Sequence, residues 1–198
     1  PTTELGFLDG NMYIISCQYD QSQVTANSTS IPVTLLSTPL CIDPKGNEGL
    51  NPQKTEPTNP LYSLDKQQSS LVYYDKNTIV LTMPYWVKVT NSSVEDSEVK
   101  KHSYDPEAMT ASDTKLKLYI SHVVEDAGET VTRSNFTYAY RAYSIRAALA
   151  AFKEKTGKLP KYLELTAEIN NSKDELVDKD GKETSVERSV EYDYAFTE

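Results

Sequence analysis

The residues in this chain with chemical potential are few, and their spacing matches no reaction. There are two histidines and two cysteines. His122 falls in an alternating apolar run and His102 in a charged stretch, and neither sits in a local signature with a serine or cysteine nucleophile. Cys17 and Cys41 lie on successive apolar stretches. Bridged, they would close a moderate loop and contribute about 3 kcal/mol. Unbridged, they would be small buried thiols on neighbouring strands, and the sequence leaves both readings open. Two cysteines without clustered histidines do not make a zinc site.

Three further patterns are worth testing against their chemistry. Ser112-Asp113-Thr114-Lys115 and Lys155-Thr156-Gly157 match the S-x-x-K and K-T-G elements of penicillin-binding enzymes and β-lactamases. That chemistry needs the serine at a helix start and K-T-G on a strand. Here the first precedes a strand pattern and the second ends a helical one. Asp178, Asp180 and Gly181 could stand at positions 3, 5 and 6 of a calcium loop, but position 1 would be Leu176, which has no ligating side chain. No glycine-rich phosphate loop or dinucleotide fingerprint occurs. The expectation is a non-enzymatic chain with no cofactor and no bound metal.

The elements that would position any site are mostly strands. SIRAALAAFKEKTGKLPKYLELTAEI, residues 144–169, predicts one helix, one stop and one strand. Ile145, Ala148, Leu149 and Phe152 share a helical face, and Ser144 is placed to cap it. Lys153, Lys155 and Lys158 suit the negative end of the helix dipole. Gly157 can turn left-handed, and Pro160 blocks a restart. From Leu163 the period becomes two, with Leu163, Leu165, Ala167 and Ile169 on one face.

Met12–Tyr19 predicts a strand, and Pro32–Ile42 is a second apolar stretch broken by Pro39. Ser70–Tyr74 and Thr78–Thr90 predict a hairpin over Asp75-Lys76-Asn77. Pro84 implies an edge position or a bulge there. Trp86, the sole tryptophan, is expected as a core anchor. Lys115–Glu125 and Thr130–Tyr143 predict two more strands. Glu175–Val177 is expected to pair with Ser185–Thr197 across Asp180-Gly181. The fold expected is mainly β, a largely antiparallel sandwich or barrel with one packed helix around 144–156. Residues 1–198 form a single domain with an N-terminal arm (1–10) and long loops (43–60 and 91–113).

Composition narrows the partners. A net charge of −9 and a pI near 4.8 argue against nucleic acid. No apolar run approaches the roughly 18 residues of a spanning helix, so no membrane partner is expected. The 14 tyrosines fit either strand composition or protein contacts. Weakly amphipathic Leu5, Phe7 and Leu8 mark the arm as an assembly segment for a neighbouring copy. The start at Pro1 fits removal of an initiator methionine, with a cleaved export signal as the rival. Together these features predict a structural subunit of a self-assembling particle or tube, a homo-oligomer located in a virion, such as a phage tail or capsid-associated protein. The alternative is a secreted or cell-surface β-domain: a pilus subunit, adhesin or ligand-binding module. Sequons at Asn27, Asn91, Asn135 and Asn170 support that alternative.

Overall fold

The structure is a computed structural model, and it describes residues 7, 11–42, 59–90, 93–94, 99–106, 108–125, 131–171, 176–178 and 185–196. The chain divides into two compact units, Pro1–Pro44 and Lys45–Glu198. In the first unit, β1 (Met12–Ile14) pairs antiparallel with β4 (Leu40–Ile42), and β2 (Cys17–Gln18) with β3 (Thr34–Leu35). The predicted strand Met12–Tyr19 is thus split in two. Gln21–Gln23 form a 3₁₀ turn capped by the Asp20 carboxylate.

The second unit is mostly strand with one helix. The hairpin partners are β5 (Ser70–Asp75) and β6 (Thr78–Val87), followed by short β7 (Val89–Thr90) and β8 (Ser93–Val94), which pair with each other. Then come β9 (Val99–Pro106), β10 (Lys115–Glu125), β11 (Val131–Arg133), β12 (Asn135–Ser144), helix α1 (Arg146–Thr156), β13 (Tyr162–Ile169), β14 (Leu176–Asp178) and β15 (Val186–Asp193). One sheet has the order β15-β13-β10-β9 and another β12-β6-β5. All these pairings are antiparallel except β10 with β13. One continuous core takes Ile79, Leu81 and Met83 from β6, Leu116, Leu118 and Ile120 from β10, and Leu163, Leu165 and Ala167 from β13. Ile145, Ala148, Leu149 and Phe152 enter that same core from the helix, as their spacing predicts.

Helix α1 ends as expected and starts differently. Gly157 has φ 75° and donates to the Lys153 carbonyl at 2.8 Å. Ser144 does not cap the helix: it is the last residue of β12, and Ile145 occupies the N-cap position with no side-chain bond. Strand β12 runs straight into the helix, and the Ile145 N–H is held by the Asn77 carbonyl at 2.7 Å. Tertiary anchoring takes the place of a capping hydroxyl here.

The two sheets are stitched by residues 59–62. Asn59 N–H donates to the His122 carbonyl of β10 at 2.7 Å, and Leu61 N–H to the Glu168 carbonyl of β13 at 2.9 Å. Asn170 N–H returns to the Leu61 carbonyl at 2.8 Å, and Tyr62 N–H reaches the Pro84 carbonyl of β6 at 3.0 Å. Leu61 itself is fully buried. These residues close the predicted loop 43–60; residues 43–58 lie outside the described ones. The same contacts explain Pro84. Strand β6 is the middle strand of its sheet, not an edge, and its pairing with β5 ends at Thr82. Pro84 therefore lies beyond β5, and its missing N–H costs that ladder nothing. The bulge of this hairpin is in β5, between Tyr73 and Asp75.

Three tyrosine hydroxyls make a second clasp, between β5 with its flanking residues Ser69 and Lys76 and β15 with its C-terminal extension. Tyr73 donates to the Asp193 carbonyl at 3.0 Å, Tyr192 to that of Ser69 at 3.3 Å, and Tyr194 to that of Lys76 at 2.7 Å. The rings of Tyr73, Tyr194 and Phe196 meet edge-on or tilted at 5.6 Å.

Two further segments differ from expectation. Within the predicted loop 91–113, residues 99–106 form β9, whose register runs from Leu118↔Pro106 to Glu125↔Val99. The backbone of β10 supplies the pairing that this polar sequence does not announce. Strand β14 pairs with β11, not with β15, which pairs along its length with β13.

The helix face gives a direct test. Phe152→Ala should cost about 3–5 kcal/mol by emptying a fully buried aromatic site, whereas exposed Lys153→Ala should stay within about 0.5 kcal/mol. Equal shifts in denaturant melts would contradict this packing.

The clasp predicts an alkaline limb. Burial pushes the Tyr73 phenol well above its ordinary value, and the neighbouring Tyr194, Asp193 and Tyr192 add to the effect. Burial raises Tyr192 and Tyr194 as well, helped by Asp65 and Asp75 respectively. The folded state holds the neutral phenols. Their contribution is complete below the unfolded pKa of about 10 and is lost as pH rises through the higher folded values. Tyr73→Phe should flatten the loss of melting temperature above about pH 10. An unchanged alkaline slope would remove the clasp from the stability argument.

Candidate functional site

Among the described residues, those singled out by the sequence do not converge on a reactive centre. His122 is 2% exposed on the core face of β10, with the Tyr85 ring 5.3 Å away. The β9–β10 register sets His102 directly opposite it, a juxtaposition no sequence signature shows. Cys17 and Cys41 are free thiols on two different ladders of the first unit. Lys115 opens β10 and forms ion pairs with Glu164 (3.1 Å) and Glu191, the carboxylates that β13 and β15 place opposite each other. That arrangement offsets the repulsion of a like-charge pair. Thr156 and Gly157 end the helix, so the K-T-G match is a helix stop. Leu176–Asp178 of the calcium-like run form β14, and the rest of that run lies outside the described residues. Among the described residues, no group of three or more His, Cys, Asp or Glu could hold a metal.

Of the arm, Leu5 and Leu8 lie outside the described residues. Phe7 is 48% exposed, with its ring 4.8 Å from that of Tyr13. The first unit also has an open cleft of about 600 Å³ beside Tyr19, Asp20, Gln23 and Val33. The carboxylate in it is already engaged: bonds from Ser22 hold Asp20 below the usual carboxylate range.

One surface of the second unit is unusual. The ladders of β12, β6 and β5 place alternate residues on the core, so the remaining residues form a single outer face. Register puts Ser70 opposite Thr82 and Val72 opposite Val80 on one side of β6. On the other side Phe136 lies opposite Trp86, Tyr138 opposite Pro84, Tyr140 opposite Thr82 and Ala142 opposite Val80. None of these residues is charged, although a quarter of the chain is; the first carboxylate is Asp75, at the margin. Val72 is 59% exposed and Phe136 and Tyr138 are about 40% exposed, whereas Pro84, Trp86 and Ala142 of the same set are buried.

The aromatic end of this face is built in layers. Trp86 is the base, 2% exposed, with its Nε1–H bonded to the Asn170 carbonyl at 2.8 Å. Tyr62 packs edge-on against Trp86 and stacks on Phe136 at 4.1 Å with planes 13° apart. Tyr138 meets Phe136 edge-on at 6.0 Å. Trp86 is thus an anchor, as expected, but its site is the foundation of this platform and not the main core. Sequence reasoning noted the tyrosines and missed the face. The signal that could have found it is the uncharged alternate set in FTYAYRAYS and TIVLTMPYW, legible only once β12 and β6 are known to be neighbours.

The sequons divide by burial. Asn27 and Asn135 are exposed, Asn170 is 2% exposed, and Asn91 lies outside the described residues.

No protein-family model matches the chain, and no curated protein does. Solved structures do. The chain is similar to a Bacteroides fragilis NCTC 9343 protein provisionally described as a lipoprotein, with 25% identity and a TM-score of 0.66 over 97% of this chain and 85% of that one. It is also similar in fold to an uncharacterized protein from Parabacteroides merdae ATCC 43184, with 13% identity and a TM-score of 0.50 over 98% and 86% of the two chains.

The layering predicts unequal costs. Trp86→Phe should lose about 1–3 kcal/mol, because it strands a buried carbonyl, while Tyr138→Ala should change stability by about 0.5 kcal/mol or less. Circular dichroism melts of the two variants would show it, and equal losses would contradict the platform.

Proposed function

We infer that the chain is a non-enzymatic β-domain of the cell surface or extracellular space that binds neutral carbohydrate on the outer face of β12-β6-β5. The observation that carries this reading is the exposed aromatic face without a charged residue. Interfaces are depleted in charge and enriched in aromatic side chains at their centres. A sugar ring presents an apolar C–H face that packs on an aromatic ring, and hydroxyls that pair with neutral donors and acceptors. Phe136, Tyr62 and Tyr138 offer the rings, and Ser70, Thr82 and the tyrosine hydroxyls offer the neutral polar groups. An ionic ligand would find no counter-charge here.

The location draws on the similar B. fragilis protein, since a lipoprotein is held at a membrane surface by its lipid. The virion location expected from the sequence rests on the arm, the long loops, the tyrosine-rich strands, the start at Pro1 and the lack of a catalytic pattern, none of which is specific to a particle.

Glycan-array screening followed by calorimetry tests the binding. A neutral oligosaccharide should bind, and Phe136→Ala or Tyr62→Ala should weaken it by about tenfold or more, as truncation of an aromatic anchor at the centre of a contact does. Binding confined to charged glycans, or unaffected by both substitutions, would overturn the reading.

A further inference from the structure

The two principal sheets of the second unit present four edges, and three of them are protected. Strand β15 carries Glu187, Arg188, Glu191 and Asp193. Strand β9 has Lys100 and Lys101 in its sequence and ends at Pro106. Strand β5 is short, bulged after Tyr73, and tied to the β15 end by the tyrosine hydroxyls. Charge, proline, bulges and cover are the devices by which sheets avoid pairing with other chains.

Strand β12 has none of them over residues 135–140. It pairs with β6 without a register break for ten residues, and among the described residues β6 is its one strand neighbour. The stretch Asn135–Tyr140 contains no charge and no proline. Its side chains are also self-complementary. In an antiparallel pair of two copies centred on Tyr138, Phe136 of each copy falls opposite Tyr140 of the other, and the two Tyr138 residues face each other on the axis. All three cross-strand pairs are aromatic, a favourable class. Even spacing keeps the outer faces of both copies on the same side. Arg141 falls opposite Asn135, so no like charges meet.

We propose that β12 pairs with β12 of a second copy about a twofold axis through Tyr138, joining two three-stranded sheets into one six-stranded sheet. The contact is isologous and closes at two copies. It makes the two aromatic faces continuous, so a chain-like ligand would meet twice the platform. The proposal stands independently of the ligand reading, because it rests on the strand edge and is read out by mass.

The test is a charge swap at Tyr138, an exposed position outside the core. Sedimentation and light scattering of the full chain should give a dimer mass. Tyr138→Lys and Tyr138→Glu each place like charges on the axis and should weaken dimerisation by at least about tenfold. Circular dichroism should show both still folded. Mixing the two variants should restore a dimer of one copy of each, resolved by tagging one of them. A native chain that is monomeric at every concentration, or a dimer indifferent to both substitutions, would overturn the proposal. So would two monomeric variants that stay apart on mixing.

Discussion

The second unit depends on a few backbone hydrogen bonds made by residues 59–62. Strands β10 and β13 run parallel and pair from Lys115 to Tyr119. Beyond that point Asn59 and Leu61 take up carbonyls of both strands, and Tyr62 carries the ladder across to Pro84 of β6. Buried peptide groups must find partners, and an unmet one costs about 1–3 kcal/mol. The segment meets that need for two sheets at once and brings fully buried Leu61 into the common core. Removing it would leave carbonyls of β6, β10 and β13 unanswered together.

The candidate face follows from the same geometry. Tyr62 is held beside Pro84 because its own N–H bonds there, and from that position its ring reaches Trp86 and Phe136. The stitch that joins the sheets thus also builds the aromatic platform. Trp86 closes the loop through its indole N–H, bonded to Asn170 immediately after β13. Stability and surface chemistry share these residues, so the rings of the platform are fixed before any ligand arrives. Preorganised groups lose less entropy on binding.

The tyrosines show how one residue type serves two ends. Tyr73, Tyr192 and Tyr194 place hydroxyls on backbone carbonyls and act as partly buried clasps. Tyr62 and Tyr138 turn part of their rings to solvent. The side chain is large, stiff and polar at one tip, which suits both roles. Composition alone could not separate them, because the difference lies in what each hydroxyl meets.

Much of the local structure was legible in the sequence. The apolar face of α1 was set by the spacing of Ile145, Ala148, Leu149 and Phe152, and its end by Gly157, since both are determined within a few residues of chain. Alternation in residues 115–125 and 163–169 likewise identified β10 and β13 and their inward faces. What only the tertiary structure decided was partnership. Nothing in KLKLY states that it runs parallel to YLELT, or that the polar VKKHSYDP pairs with the rest of the same strand. Nothing in Asn59–Tyr62 marks a stitch, because backbone bonds leave no side-chain signature. Pro84 is a case of this: whether a missing N–H matters depends on which strand lies beside it. The uncharged face is the same case, since its residues are scattered over three strands and become one surface only when register sets them side by side.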